Sequence, residues 1–374
     1  MEEIYLDYSA TTKVDQQVLD YFNLIVNKYY ANPNSSHDLG YASFREINKS
    51  IKNICNFFNI FDDEIIFTSG ATESNNTVLK GIINGSRNEI ITTRLEHSSI
   101  YGPISQLQDD GYKILFVDLD SNGCVNLNSL KKLINDKTLL VSIGAVNSEM
   151  GIRQPIEEIG NILSEYKDIY FHSDITQCLG KCNIDLSNVD LVSFSGHKIF
   201  CFKGIGGLIK KRSVKLKPLL NGGKSTTIYR SGTPQTELIC SLSKAIDLFK
   251  SNIDCNYKYV LELNEMIRNH IKKYKNIKLN STDKSIPYII NLSILGIDSL
   301  KIQEFFNKNK IYISTQTACS SNNSYSLGVY NVTNDMERAK SSFRVSLSYK
   351  TSIEEIKEFL RVLDLFMGDE YEIN

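Results

Sequence analysis

Seven short apolar runs recur between residues 64 and 211: EIIFT, NEIITT, YKILFVDL, TLLVSIGAV, DIYFHSD, VDLVSFS and GIGGLIKK, several separated by helical stretches such as PIEEIGNILSEYK. Each is short and rich in Ile, Leu, Val and Phe, so each reads as a strand covered on both faces. Strands of that kind alternating with helices build a mostly parallel sheet flanked by helices. Upstream, Phe44, Ile47, Ile51, Ile54, Cys55 and Phe58 fall three or four apart, which predicts an amphipathic helix over residues 43–58. Past about residue 250 the pattern changes to long polar helical stretches such as YKYVLELNEMIRNHIKKYK, then PYIINLSIL, IYIST, SSFRVSL and a helix from Ser352. The expected fold class is α/β: a large domain with a mostly parallel seven-stranded sheet (12–255), and a smaller α+β domain made of 1–11 and 256–374.

Composition narrows the function classes. At 374 residues, 41% of them hydrophobic, the chain can bury a sizeable core. Lysine and arginine total 42 against 43 acidic residues, so no whole-chain field draws nucleic acid or an acidic membrane face, and partners must be sought at local sites. MEEIYLDYSATT lacks the basic start and apolar stretch of a secretory signal, and no run approaches membrane-spanning length, so a cytoplasmic location is expected. Eight cysteines (Cys55, Cys124, Cys178, Cys182, Cys201, Cys240, Cys255 and Cys319) contain no C-x-x-C pair, which argues against a zinc ribbon and against a redox dithiol. Seven of them read as small buried hydrophobes, and Cys319 is the exception.

In open α/β sheets ligands bind beyond the carboxyl ends of the strands, and here those ends are polar. EIIFT runs into SGATESNN, NEIITT into RLEH, SIGAV into NSEMG, DIYFHSD into ITQ and VDLVSFS into GHK. One crevice would collect Thr72, His97, Asn147, Ser148, Asp174, Gln177, Ser195, His197 and Lys198. Gly70 permits a tight bend, and the first helical N–H groups, from Ala71 on, with the Thr72 hydroxyl could cradle a phosphate; the alternative is an ordinary helix cap. Asp174 ends an apolar strand and suits a protonated ring nitrogen, or else a structural salt bridge. His97 offers a flat face for stacking, whereas His172, inside its strand, reads as structural. Lys198, desolvated at the floor of such a crevice, can lose its proton and form an imine with an aldehyde; a plain surface lysine is the alternative.

In this order YLDYSATT, GATESNN, the EH pair at 96–97, HSDITQ, SFSGHK, RSGT and ACSS closely resemble the cysteine desulfurases of long-loop type, enzymes of the class V aminotransferase group that use pyridoxal 5'-phosphate. The resemblance runs essentially end to end and implies the fold type I architecture of that coenzyme's transferases, with the coenzyme in the large domain and the catalytic cysteine loop in the small one. It implies that Lys198 binds the coenzyme covalently, Asp174 meets the ring nitrogen, Gln177 and Ser148 lie at the ring hydroxyl, and His97 stacks on the ring. Ala71, Thr72, Ser195 and His197 would hold the phosphate with Thr233 from a second subunit, hence a homodimer. Arg344 would clamp the substrate carboxylate with Asn32 as companion, and Cys319 would take the sulfur of L-cysteine as a persulfide, for iron–sulfur cluster assembly or thiolation through an acceptor or scaffold protein. No metal is implied.

The sequence departs from the family at Ser148, where asparagine is usual, at Cys201 and Phe202 in place of Gly-Pro, at Lys224 and Ser225, and in a somewhat shorter stretch between Cys319 and Arg344. A selenocysteine lyase or transaminase-like relative would need Lys198 and could dispense with Cys319. A non-catalytic scaffold for sulfur-transfer partners would bind no coenzyme.

Overall fold

The computed structural model describes residues 3–82, 86–223, 225–315 and 325–372. The strands are β1 (Ile4–Tyr5), β2 (Ile65–Thr68), β3 (Glu89–Thr92), β4 (Lys113–Phe116), β5 (Thr138–Ser142), β6 (Tyr170–Asp174), β7 (Leu191–Ser195), β8 (Gly206–Lys210), β9 (Ile277–Leu279), β10 (Ile289–Ile294), β11 (Ile311–Tyr312) and β12 (Ser342–Ser346). The helices in the first part of the chain are α1 (Gln16–Lys28), α2 (Asp38–Phe58), α3 (Ala71–Gly81), α4 (Ser98–Asp109), α5 (Leu127–Leu133), α6 (Ile156–Leu163) and α7 (Thr236–Phe249). They are followed by α8 (Ile253–Ile271), α9 (Ser299–Lys308), α10 (Leu327–Thr333), α11 (Met336–Lys340) and α12 (Ile353–Glu372).

The seven predicted runs form one seven-stranded sheet in the order β2-β8-β7-β6-β5-β3-β4. Every pairing is parallel except the two made by β8, which runs antiparallel to β2 and β7. Successive side chains in a strand point to opposite faces, and the core divides accordingly. Ile66, Ile90, Leu140, Leu191 and Leu208 pack with Val78 of α3 and Ile100 and Ile104 of α4. Their neighbours Phe67, Ile91, Val141, Val192 and Ile209 join Ile47 and Ile54 of α2, Ile159 of α6 and Ile246 of α7. Both faces are covered, which is why these runs show no polar alternation. Only four residues of the 112–119 run join the sheet, as the edge strand β4 paired with β3, while Leu119 bridges to Val125 outside it.

The remaining strands form an antiparallel sheet, β12-β10-β9, and a parallel pair, β1-β11. The N-terminal segment is built into this part: Leu6 N–H donates to Tyr312 O at 2.9 Å, and Ser346 N–H donates to Leu6 O at 2.7 Å. Phe306 stacks with Phe343 and Phe359 in its core. β1 and β9 escape a sequence reading because two or three residues carry no periodicity. Helix α1 escapes it because Val18 and Ile25 are buried while Leu19, Leu24 and Val26 remain exposed, which blurs the apolar stripe.

Two expectations about cysteine fail. Cys255 is exposed rather than buried, being on α8 where the helix faces outward. Cys178 and Cys182, four residues apart, bring their sulfurs to 3.1 Å, so a dithiol exists without a C-x-x-C spacing.

Near the carboxyl end of β2 the backbones crowd. A Cβ on Gly206 would lie 2.4 Å from the Phe194 carbonyl oxygen and 2.6 Å from Gly70 Cα, neither of which can swing away. Gly206→Ala is expected to lower the unfolding free energy by about 1–3 kcal/mol through overpacking. A urea titration measures this, and an unchanged midpoint would contradict the packing described.

Candidate active site

The carboxyl ends of β3, β5, β6 and β7 and the N-termini of α3 and α4 enclose a cavity of about 230 Å³. Ala71, Thr72, His97, Ser148, Asp174, Gln177, Ser195, His197, Lys198 and Arg344 all lie on its wall. Asn32 and Thr233 do not: both are exposed in the single chain, and Asn32 Oδ1 accepts the Asn34 N–H at 2.9 Å. Cys319 lies outside the described residues.

At the α3 end, Gly70 holds φ 151°, a region open chiefly to glycine, and α3 has no side-chain cap. Ser195 Oγ accepts the Ala71 N–H at 2.7 Å, leaving the next N–H groups of the first turn as donors at the positive end of the helix. His197 lies beside them with Nδ1 at 3.1 Å from Thr11 Oγ1. Burial, reinforced by the Lys198 charge, pushes the His197 pKa down to about 4, so this imidazole is neutral. The donor set suits a phosphate.

The other end suits a cationic ring nitrogen and a flat ring. Asp174 Oδ2 accepts from Asn75 Nδ2 at 2.8 Å and Oδ1 from the Thr176 N–H at 2.9 Å, so both donors to this carboxylate are neutral. Asn75 Nδ2 also donates to Ser99 Oγ at 2.8 Å, and Ser99 Oγ lies 2.9 Å from His97 Nδ1. The Ser99 N–H points at the same Nδ1 at 3.2 Å, which assigns Nδ1 as acceptor and puts the ring proton on Nε2. Burial holds the His97 pKa below the usual histidine range. The buried Thr176 Oγ1, of a residue on the cavity wall, and Asn75 Oδ1 have no partner among the described residues.

Lys198 closes a one-turn 3₁₀ segment, Gly196–Lys198, directly after β7. Thr12 of the SATT motif clamps that turn: its N–H and its hydroxyl each donate to His197 O at 2.9 Å, and its oxygen accepts the Phe200 N–H at 2.8 Å. The departures at Cys201 and Phe202 are absorbed by packing, with Cys201 buried and its thiol pushed up to about 12 by desolvation, and Phe202 packed on Phe22 at 4.5 Å. His172, as expected, is structural: its ring bridges Ser142 Oγ and Ser193 Oγ at 2.9 Å each.

Several partners were not singled out from sequence. Asp7 Oδ1 accepts from Arg344 Nη2 at 2.6 Å while Ser148 O accepts from Nη1 at 2.9 Å, and Arg344 Nε is buried without a partner among the described residues. Ser148 therefore contributes a backbone carbonyl that orients the arginine. Glu96 accepts from Thr93 Oγ1 and the Gly144 N–H, yet burial pushes its pKa up to about 7. Gln177 Nε2 donates to Ser9 O at 2.9 Å, and its Oε1 accepts from Lys181 Nζ at 2.7 Å, which fixes the amide so that its second N–H is available to the cavity. Lys181 is buried and, with Lys198, lines a second small cavity. Burial and then the Lys198 charge pull its pKa down to about 7. A lysine four residues beyond Gln177 was the available signal, since i and i+4 share a face in a helical turn.

The fold and these walls define a pyridoxal-phosphate-type α/β enzyme, and comparison with known proteins agrees. Residues 4–359 match the class-V aminotransferase family. The cysteine desulfurase IscS of Ehrlichia chaffeensis is 37% identical over 371 residues, covering 94% of this chain and 88% of the relative. Among solved structures, a NifS-like protein superposes with a TM-score of 0.92 at 29% identity, covering 98% of this chain and 100% of that one. A structure described as SspA in complex with cysteine gives a TM-score of 0.81 at 27% identity, covering 93% of this chain and 100% of that one. The chain belongs to the class-V aminotransferases, and within them to the cysteine desulfurases.

A folded-state pKa of about 7 at Lys181 has a consequence for stability. Above that pH the unfolded chain keeps a proton on this amine that the folded chain has released, so unfolding takes up protons and stability rises with pH until the ordinary lysine range. Below it the folded protein carries the buried cation at full cost. Urea midpoints of wild type and Lys181→Met at pH 6.5 and pH 9 should show wild type gaining on the variant at the higher pH. A pH-independent difference would contradict a neutralised Lys181.

Proposed function

We propose that this chain uses pyridoxal 5'-phosphate to cleave the carbon–sulfur bond of L-cysteine, giving L-alanine and a persulfide on Cys319. The observation that carries this reading is one cavity walled by the Lys198 amine, an Asp174 carboxylate held by neutral donors, and an uncapped α3 N-terminus beside Ser195 and His197. Those groups fit the coenzyme's aldehyde, ring nitrogen and phosphate in turn. Ala71, Thr72, Ser195 and His197 would hold the phosphate, Asp174 the ring nitrogen, Gln177 the ring hydroxyl and His97 the ring face. When bound, the coenzyme supplies an electron sink for the charge left when an amino acid loses its α-proton.

The chain's own residues do the rest. Arg344, braced by Asp7 and the Ser148 carbonyl on the cavity wall, would bind the substrate carboxylate through its guanidinium. Lys198, as the free amine, removes the α-proton as general base. His97 stays neutral and keeps Nε2–H as a donor. Cys319 attacks as the thiolate: the substrate's Cβ–S bond breaks, an S–S bond forms, and a proton replaces sulfur at Cβ.

A homodimer would complete the phosphate end with Thr233 of the second subunit. Thr233 is exposed in the single chain, and Arg230, in the same RSGT segment, is held by Glu73 of α3 at 3.0 Å. Leu24, Tyr30, Leu39, Tyr41 and Phe44, on or between α1 and α2, are exposed apolar surface for such a contact. No described helix is long and apolar enough to cross a membrane. The persulfide would pass to an acceptor or iron–sulfur scaffold protein in the cytoplasm. Residues 1–11 and 256–374 would form the smaller domain, carrying Cys319.

Incubation of the holoprotein with L-cysteine should release alanine and, with a thiol reductant, sulfide. Lys198→Ala should abolish both products, and Cys319→Ala should lose sulfide while keeping the coenzyme's absorbance; undiminished sulfide from Cys319→Ala would refute its role. Arg344→Lys removes a charge-assisted planar donor worth about 1.5–3 kcal/mol, so KM for cysteine should rise roughly tenfold to 150-fold with kcat less affected. A changed kcat at constant KM would move Arg344 out of substrate binding.

A further inference from the structure

The turn after β6 holds a built dithiol. Gly180, at φ 72°, folds the chain back so that the N–H groups of Lys181 and Cys182 both donate to Cys178 O, at 2.9 and 3.1 Å. The reversal lays one sulfur on the other at 3.1 Å, inside ordinary sulfur contact. The two thiols are not equivalent. Hydrogen bonding from Cys178, aided by the Arg153 and Lys181 charges, draws the Cys182 pKa down, while the same bond and burial push Cys178 well up. Cys182 also lies on the wall of a cavity of about 820 Å³ whose rim includes the exposed Asn183 and Asp185, whereas Cys178 is fully enclosed behind it. An attacking thiol with a route to solvent thus touches a resolving thiol.

We propose that Cys178 and Cys182 are a redox-modifiable pair that a hydroperoxide converts to a disulfide. The Cys182 thiolate attacks one peroxide oxygen and breaks the O–O bond, and the expelled hydroxide leaves as water on taking a proton. Cys178 sulfur then displaces hydroxide from the resulting sulfenic acid, and its own proton leaves with that hydroxide as a second water. Two thiols lose two electrons and the peroxide gains two. The ring so closed contains Lys181, whose ammonium or amine holds Gln177 Oε1 at 2.7 Å, so oxidation is transmitted to Gln177; this second step rests on the coenzyme site proposed above.

Trypsin cuts after Lys181, between the two cysteines, so only a disulfide keeps peptides 168–181 and 182–198 together. Holoprotein is titrated with hydrogen peroxide until the exposed Cys255 no longer alkylates, then unfolded, alkylated and digested without reductant. The linked peptide pair should form in wild type, vanish with dithiothreitol and be absent from Cys178→Ser. Recovery of both cysteines as free thiols, or of Cys182 as sulfinic acid with no linked pair, would overturn the proposal. The coenzyme's absorbance band should shift as the link forms in wild type and not in Cys178→Ser. A fully linked protein with an unmoved band would overturn the coupling to Gln177 while leaving the dithiol established.

Discussion

The site depends on one hydrogen-bonded chain, from the Asp174 carboxylate through Asn75 and Ser99 to His97 Nδ1. It ties the carboxyl end of β6 to the body of α3 and the start of α4. Both Asn75 N–H groups are spent, one on Asp174 and one on Ser99, so turning the amide over would face an oxygen toward each acceptor and break both bonds. Its orientation then dictates the rest: Asp174 stays an acceptor facing the cavity, and His97 stays neutral with its proton on Nε2. A carboxylate that ends a buried strand is costly unless something positive completes it, and two neutral donors leave that need unmet.

Cations are arranged with the same economy. Lys181 and Lys198 approach one small cavity, and their repulsion adds to burial in depressing Lys181. Burial and this repulsion together favour the uncharged amine at Lys181. Arg344 is treated differently. It is paired to Asp7 and aimed by the Ser148 carbonyl. A guanidinium cannot discharge itself by losing a proton, so it is the group to leave facing an anion.

Much of this was legible in the sequence, for a physical reason. A doubly covered parallel strand has to be continuously apolar, so the seven strands of the main sheet announced themselves, and the polar residues following them had to meet at one edge. That edge holds Asp174, Gln177, Ser195, His197 and Lys198. What sequence did not disclose were groups acting through tertiary contact. Asp7 reaches Arg344 across 337 positions, Thr12 clamps the His197 carbonyl across 185, and Asn75 lies inside a helix with nothing local to mark it. Cys178 and Cys182 meet by the same i, i+4 spacing as Gln177 and Lys181, in a turn that no apolar periodicity marks as helical. Asn32, expected beside Arg344, and Thr233, expected from a second subunit, both lie off the cavity wall of one chain.

On this reading a single amine, on the turn after β7, bonds to the coenzyme, although Lys181 and Lys198 both line the small second cavity. Borohydride reduction of the holoprotein fixes that bond, and peptide mapping by mass spectrometry then locates it. The expected result is one reduced coenzyme per chain on Lys198; finding it on Lys181, or on any other lysine, would contradict the account.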